Sequence, residues 1–225
     1  MGARVSLAAA TADVAGRDPA LARMILRAGP VRLPKSRQPD PFLALAQAIV
    51  YQQLAGRAAA AIWSRVAALV PGGLVPDGVL ATPDAAFRAA GLSSNKTLSI
   101  KDLAAKVLDG TVPLGRLRRM PDDEIVRRLS EVRGIGPWTA EMFLIFELRR
   151  MDVWPVLDYG VRKGWAVVQG LAEIPTPKAL EPEGDRFHPF RTVVAWYCWR
   201  AAELCPEALL SLPGDATVKR KGGAA

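Results

Sequence analysis

Apolar residues recur along this chain at helical spacing. Phe42, Leu45, Ala46, Ile49 and Val50 form one stripe, which predicts an amphipathic helix over 41–53. Ala58, Ile62, Val66, Leu69 and Val70 mark a second helix, stopped by Pro71-Gly72-Gly73. Thr82-Pro83-Asp84 is a helix start, with a capping hydroxyl, a proline in the first turn and an acid near the positive end of the dipole. Ile100, Leu103, Ala104, Val107 and Leu108 give another stripe, ended by Gly110 and Pro113; Ile125, Val126, Leu129 and Val132 give the next. Sustained strand alternation with hairpin turn chemistry is absent. The fold class is all-α.

Segments 71–78 and 174–184 are rich in Pro, Gly and acids and read as surface connections. From Pro213 onward, Lys219, Arg220 and Lys221 lie among small residues, so 213–225 is expected to be a disordered basic tail. No internal repeat and no long linker divides the rest.

Composition adds a partner class. The chain has 225 residues, with 30 Lys and Arg against 22 Asp and Glu, a net charge of +8. That excess suits a polyanion, because each neutralised phosphate releases condensed counterions. No apolar run reaches the roughly 20 residues of a membrane-crossing helix, and no secretion signal precedes the first helices. One histidine, His188, and two cysteines, Cys198 and Cys205, are too few for the common Cys/His zinc sites. A soluble, cytoplasmic chain without a disulfide framework is the expectation.

Two places carry chemistry. In Val132-Arg133-Gly134-Ile135-Gly136-Pro137-Trp138-Thr139-Ala140, one helix ends near Val132 and another starts with Pro137 in its first position. Gly134 and Gly136 permit positive φ and leave no Cβ to hold a phosphate off the backbone. The free N–H groups of the incoming helix then face an anion, and Ile135 is the apolar plug. An ordinary helical corner needs only one such glycine. The second place is Asp158, which follows the apolar, proline-stiffened run Val153-Trp154-Pro155-Val156-Leu157. Two roles stand open for it: N-cap of a helix beginning at Tyr159, or a carboxylate for chemistry.

Here the chain resembles the helix-hairpin-helix DNA glycosylase superfamily, and within it the AlkA-type 3-methyladenine glycosylases. The hairpin carries the likeness, with Leu157-Asp158-Tyr159 where that family keeps its catalytic aspartate. Three more segments match in order: Ala48-Ile49-Val50-Tyr51-Gln52-Gln53-Leu54, Gly91-Leu92-Ser93-Ser94-Asn95-Lys96, and Pro189-Phe190-Arg191 through Ala195-Trp196-Tyr197-Cys198-Trp199-Arg200. The likeness runs from about residue 40 to 205.

The resemblance implies two helical lobes with Asp158 in the cleft between them. One would span 36–150 and end in the hairpin; the other would join 1–35 to 151–225. It implies removal of flipped-out alkylated purines, such as 3-methyladenine and 7-methylguanine, from double-stranded DNA by a monomer, leaving an abasic site. By motif position Asp158 becomes the catalytic residue, and Trp138, Met142, Trp199 and Tyr159 the base pocket. Trp196 and Trp165 are expected in the core. Arg133, Gly134, Ile135 and Gly136 become the DNA-binding hairpin, Gln53 with Leu54 the intercalating wedge, and Ser93, Ser94 and Lys96 a second phosphate-contacting turn. Strand-cutting relatives carry a nucleophilic lysine where this chain has Trp138, so hydrolysis without lyase activity is implied. Cys198 and Cys205 are spaced like the first pair of an iron–sulfur cluster, but further ligands are missing and no cluster is expected. A structural Na⁺ or K⁺ on the backbone of Ser130, Val132 and Ile135 is implied. The alternatives are a glycosylase for another lesion and a non-catalytic damage-binding protein.

Overall fold

A computed structural model describes residues 5–34, 38, 40–54 and 56–205. The expected basic tail at 213–225 lies outside the described residues. The chain runs α1 (Leu7–Arg17), α2 (Pro19–Ala28), α3 (Pro41–Tyr51), α4 (Gly56–Ala67), α5 (Pro76–Ala81), α6 (Asp84–Ala89), α7 (Ser94–Leu108), a 3₁₀ turn (Leu117–Arg119), α8 (Asp122–Ser130), α9 (Pro137–Phe146), α10 (Tyr159–Gln169), α11 (Pro177–Leu180), a second 3₁₀ turn (Glu181–Phe187) and α12 (Arg191–Leu204). There is no strand among the described residues.

Caps start two helices that the sequence reading passes over. Ser6 accepts a hydrogen bond from the Ala9 N–H at 3.1 Å and starts the alanine-rich α1. Asp18 accepts from Ala20 and Leu21 at 2.8 and 2.9 Å, and Pro19 opens α2. The expected surface connections also hold helix. Pro76 starts α5 inside 71–78, and Thr176 caps α11 with Pro177 in its first turn inside 174–184. α3 stops at Tyr51, short of Gln53, because Gln52 leaves helical geometry with ψ 131°, and Gln53 follows with a left-handed φ of 56°.

The described residues divide into two units, one drawn from Leu33–Arg150, the other from Met1–Arg32 with Met151–Ala225. Within Leu33–Arg150, α5 packs on α7, α8 on α9, and α3 touches α4, α7 and α9. Leu45, Ile49, Phe87, Ile100, Leu103 and Leu129 are fully buried there. This packing gathers the end of α3, the start of α7 and the α8–α9 turn.

In the other unit α12 packs against α10, α2 and α1. Trp165 is buried, edge-on to Trp154 at 5.8 Å and to Phe187 at 6.1 Å. The Tyr197 hydroxyl donates to the Gly29 carbonyl at 3.0 Å and ties α12 to the end of α2. Trp196, expected in the core, is only half-buried: its indole N–H reaches the Arg32 carbonyl at 3.2 Å. α10 and α12 approach closely at Gly164, where a Cβ would lie 1.7 Å from the Cys198 carbonyl oxygen. No helix among the described residues is long and apolar enough to cross a membrane.

Candidate functional site

α8 ends at Ser130 and α9 begins at Pro137, with Gly136 as N-cap. Between them the Val132 carbonyl accepts from the Ile135 N–H at 3.0 Å. Ile135 is buried and pins the turn. The two glycines turn out to have different reasons. Gly134 has φ 77°, and a Cβ there would sit 2.7 Å from Ser99 Oγ. Gly136 does not use positive φ: it is near-extended at −98°, and a Cβ on it would meet nothing within 4 Å. The fold needs the glycine at Gly134; at Gly136 only an incoming molecule would.

This asymmetry yields a prediction. Gly136→Ala is expected to leave the thermal melt unchanged and to weaken DNA binding, whereas Gly134→Ala destabilises the protein by about 1–2 kcal/mol. Affinity titrations at several salt concentrations beside melts of both variants are the check. Unchanged binding by a folded Gly136→Ala protein removes the hairpin from the DNA contacts.

Two elements brace the turn. From α7, Asp102 accepts the Arg133 backbone N–H at 2.7 Å and the Lys106 ammonium at 2.8 Å. Burial raises the Asp102 pKa, but those donors outweigh it and hold the carboxyl below its usual range. The exposed Arg133 guanidinium donates to Asn95 Oδ1 at 3.3 Å. From the end of α3, the Gln52 side-chain amide donates to the Gly134 carbonyl at 2.8 Å. Gln53 and Leu54 follow, both exposed. Ser93 and Ser94 are exposed at the start of α7, where Ser93 is the N-cap. Lys96 is half-buried: its ammonium donates to the Val50 and Gln52 carbonyls at 2.7 and 2.6 Å, and burial lowers its pKa.

A cavity of about 620 Å³ opens between α3 and α9 in the same unit. Trp138 and Met142 line it, with Tyr51, Gln53, Phe146 and Glu147. Trp138 is 43% exposed, unusual for so large an apolar side chain. The sequence motifs name the first two and the wedge; Tyr51, Phe146 and Glu147 are added by the packing of α3 on α9.

The second unit holds Asp158. It is the N-cap of α10, and its Oδ1 accepts from the Val161 N–H at 2.8 Å. The same oxygen accepts from the Trp199 indole N–H at 2.9 Å, reaching across from α12. The capping role is therefore present, and a second donor is aimed at the same carboxylate. Gly160, which sequence reasoning passes over, makes room: a Cβ there would lie 3.0 Å from Trp199 Cδ1 and 3.1 Å from Asp158 Oδ1. Leu157 and Tyr159 flank the carboxylate and are exposed, and Arg162 lies 5.8 Å from the centre of the Tyr159 ring. Nearby, Asp152 holds Arg191 at 2.8 Å and His188 at 2.6 Å, fixing the start of α12.

Residues 46–189 match the HhH-GPD superfamily base excision DNA repair proteins. DNA-3-methyladenine glycosylase 1 of Schizosaccharomyces pombe is 33% identical over 208 residues, spanning 88% of this chain and 89% of that protein. The structure of the Schizosaccharomyces pombe enzyme in complex with abasic DNA superposes with a TM-score of 0.76 at 32% identity, covering 86% of this chain and 96% of that one. A Bacillus halodurans DNA-3-methyladenine glycosidase gives a TM-score of 0.81 at 35% identity, covering 88% and 91%. The all-helical fold is shared with these structures, and the chain belongs to the HhH-GPD superfamily of base excision DNA repair proteins.

Proposed function

We propose that this protein is a monofunctional DNA glycosylase that hydrolyses the N-glycosidic bond of alkylated purines and leaves an abasic site. The observation that carries the reading is the Asp158 carboxylate, oriented by the Val161 and Trp199 N–H groups on one oxygen. The scissile bond lies inside the duplex, so the nucleotide must be flipped out, at a cost of a few kcal/mol. A methylated purine such as 3-methyladenine or 7-methylguanine carries positive charge and leaves readily. Its departure makes an oxocarbenium-like sugar, which the Asp158 carboxylate stabilises while orienting or deprotonating water.

Each unit offers aromatic surface to a cationic base: Trp138 beside Met142 in one, Trp199 and Tyr159 in the other. Such faces attract it through stacking and cation–π contact worth about 0.5–2 kcal/mol. The hairpin N–H groups and Arg133 hold the phosphate backbone, and the protein works as a monomer. A structural monovalent cation at the hairpin fits the turn, because Ser130 Oγ is buried with no partner among the described residues. The carbonyls of Ser130, Val132 and Ile135 would hold it and supply positive charge beside the DNA backbone.

Release of free 3-methyladenine from a methylated duplex, resolved by chromatography, tests the activity. Trp138 fills the position of the strand-cutting lysine, so an intact strand is the expected product. Borohydride should trap no protein–DNA adduct. A trapped adduct together with strand breaks before alkali treatment would overturn the monofunctional assignment.

A further inference from the structure

Lys96 sits in the first turn of α7, where its own helix dipole disfavours a cation. Its ammonium is turned instead onto the end of α3, donating to the Val50 and Gln52 carbonyls at 2.7 and 2.6 Å. These oxygens belong to the C-terminal end of α3, where helical bonding runs out and negative partial charge collects. The very next residue, Gln53, takes φ 56°, a conformation that needs support from its surroundings in any residue but glycine. Gln52 in turn donates its side-chain amide to the Gly134 carbonyl. One half-buried ammonium thus stands behind both the strained Gln53 and the turn of the hairpin.

We propose that Lys96 is a positioning residue for base flipping: by fixing the Val50 and Gln52 carbonyls it sets Gln53 at the height and angle needed to enter the duplex. This rests on reading Gln53 as the wedge that fills the space of the flipped nucleotide. Lys96 acts through Gln53 and touches no phosphate.

Single-turnover excision from a methylated duplex tests this with Lys96→Met, Gln53→Ala and the double variant of the full chain. Lys96→Met keeps the aliphatic stem and removes the charge and donors. The expected loss for each single variant is roughly tenfold to a hundredfold in rate, as for a misplaced group in a preorganised site. The double variant should be no slower than Gln53→Ala. The slope of log affinity against log salt should match wild type.

A slope lower by about 0.9 would make Lys96 a phosphate ligand and overturn the proposal. Losses that multiply in the double variant would overturn it too, since Lys96 would then act apart from Gln53. A wild-type rate for Gln53→Ala would instead bring down the wedge reading, and base release absent from the wild-type protein would bring down the glycosylase reading. Should Lys96→Met fail to fold, Lys96→Gln keeps N–H donors on a shorter, uncharged side chain: its loss should be smaller than for Met and, in the double variant, again no slower than Gln53→Ala, while multiplied losses or a lowered salt slope would overturn the proposal as before.

Discussion

Asp158→Asn is expected to lower the rate of base excision by about 10²–10³, the usual cost of losing one strong electrostatic stabiliser of a charged transition state. The amide keeps an oxygen at the Oδ1 position, so it can still accept from the Val161 N–H and the Trp199 indole. Asn also caps a helix about as well as Asp. The thermal melt should therefore be nearly unchanged. DNA affinity should persist or tighten, because a negative charge facing a polyanion is gone. Single-turnover release of 3-methyladenine, measured beside a melt and a binding isotherm, checks all three. A folded Asn variant with the wild-type excision rate would leave Asp158 a cap and nothing more, and the stabilisation of the sugar cation would have to come from another group.

Gly164→Ala should produce the largest loss of stability of any single methyl addition in the α10–α12 pair. The added Cβ would lie 1.7 Å from the Cys198 carbonyl oxygen and 2.3 Å from its carbon, and those are backbone atoms of a packed helix. They cannot rotate away as a side chain would. The two helices must separate, at about 3 kcal/mol, which for a chain of this size lowers Tm by about 6–12 °C. Gly16→Ala is the control, since it lies in α1 and a Cβ there meets nothing within 4 Å. It should be neutral or stabilising by up to about 1 kcal/mol. Equal melts for the two variants would show that α10 and α12 do not approach as described.

What was legible in the sequence was local. Pro137 after Gly136 announces the start of α9, and Asp158 before Tyr159 announces α10, because caps and first-turn prolines act within a few residues. The stripe Phe42, Leu45, Ile49 announces α3 because burial of one helix face is written in its own spacing. Gly160 and Gly164 could not be read the same way. Each is a glycine only because α12, more than thirty residues on, comes close to it. Lys96 looks like a surface lysine in its own segment, and its acceptors lie on α3. Nothing local joins Tyr51 to Phe146; the cavity they share with Trp138 exists only once α3 meets α9. Of the two reasons a glycine could stand at Gly136, positive φ is not used and open space remains, a distinction that a motif does not make.

The order in which the helices are made bears on how the protein assembles. Arg17 in α1 donates to the Arg186 and His188 carbonyls at 3.0 and 2.6 Å, and Tyr197 in α12 reaches Gly29. These bonds join residues about 170 positions apart, with the whole Leu33–Arg150 unit encoded between them. On the ribosome, that intervening unit is complete while α12 is still unmade, and its contacts need only its own residues. α1 and α2 are made before that unit, yet Val14 and Leu21 lack their neighbours on α12 until that helix follows. Closing so long a loop is the slow kind of contact formation. The unit carrying Asp158 is therefore expected to complete its packing after the Leu33–Arg150 unit and to be the more exposed of the two to misassembly during synthesis.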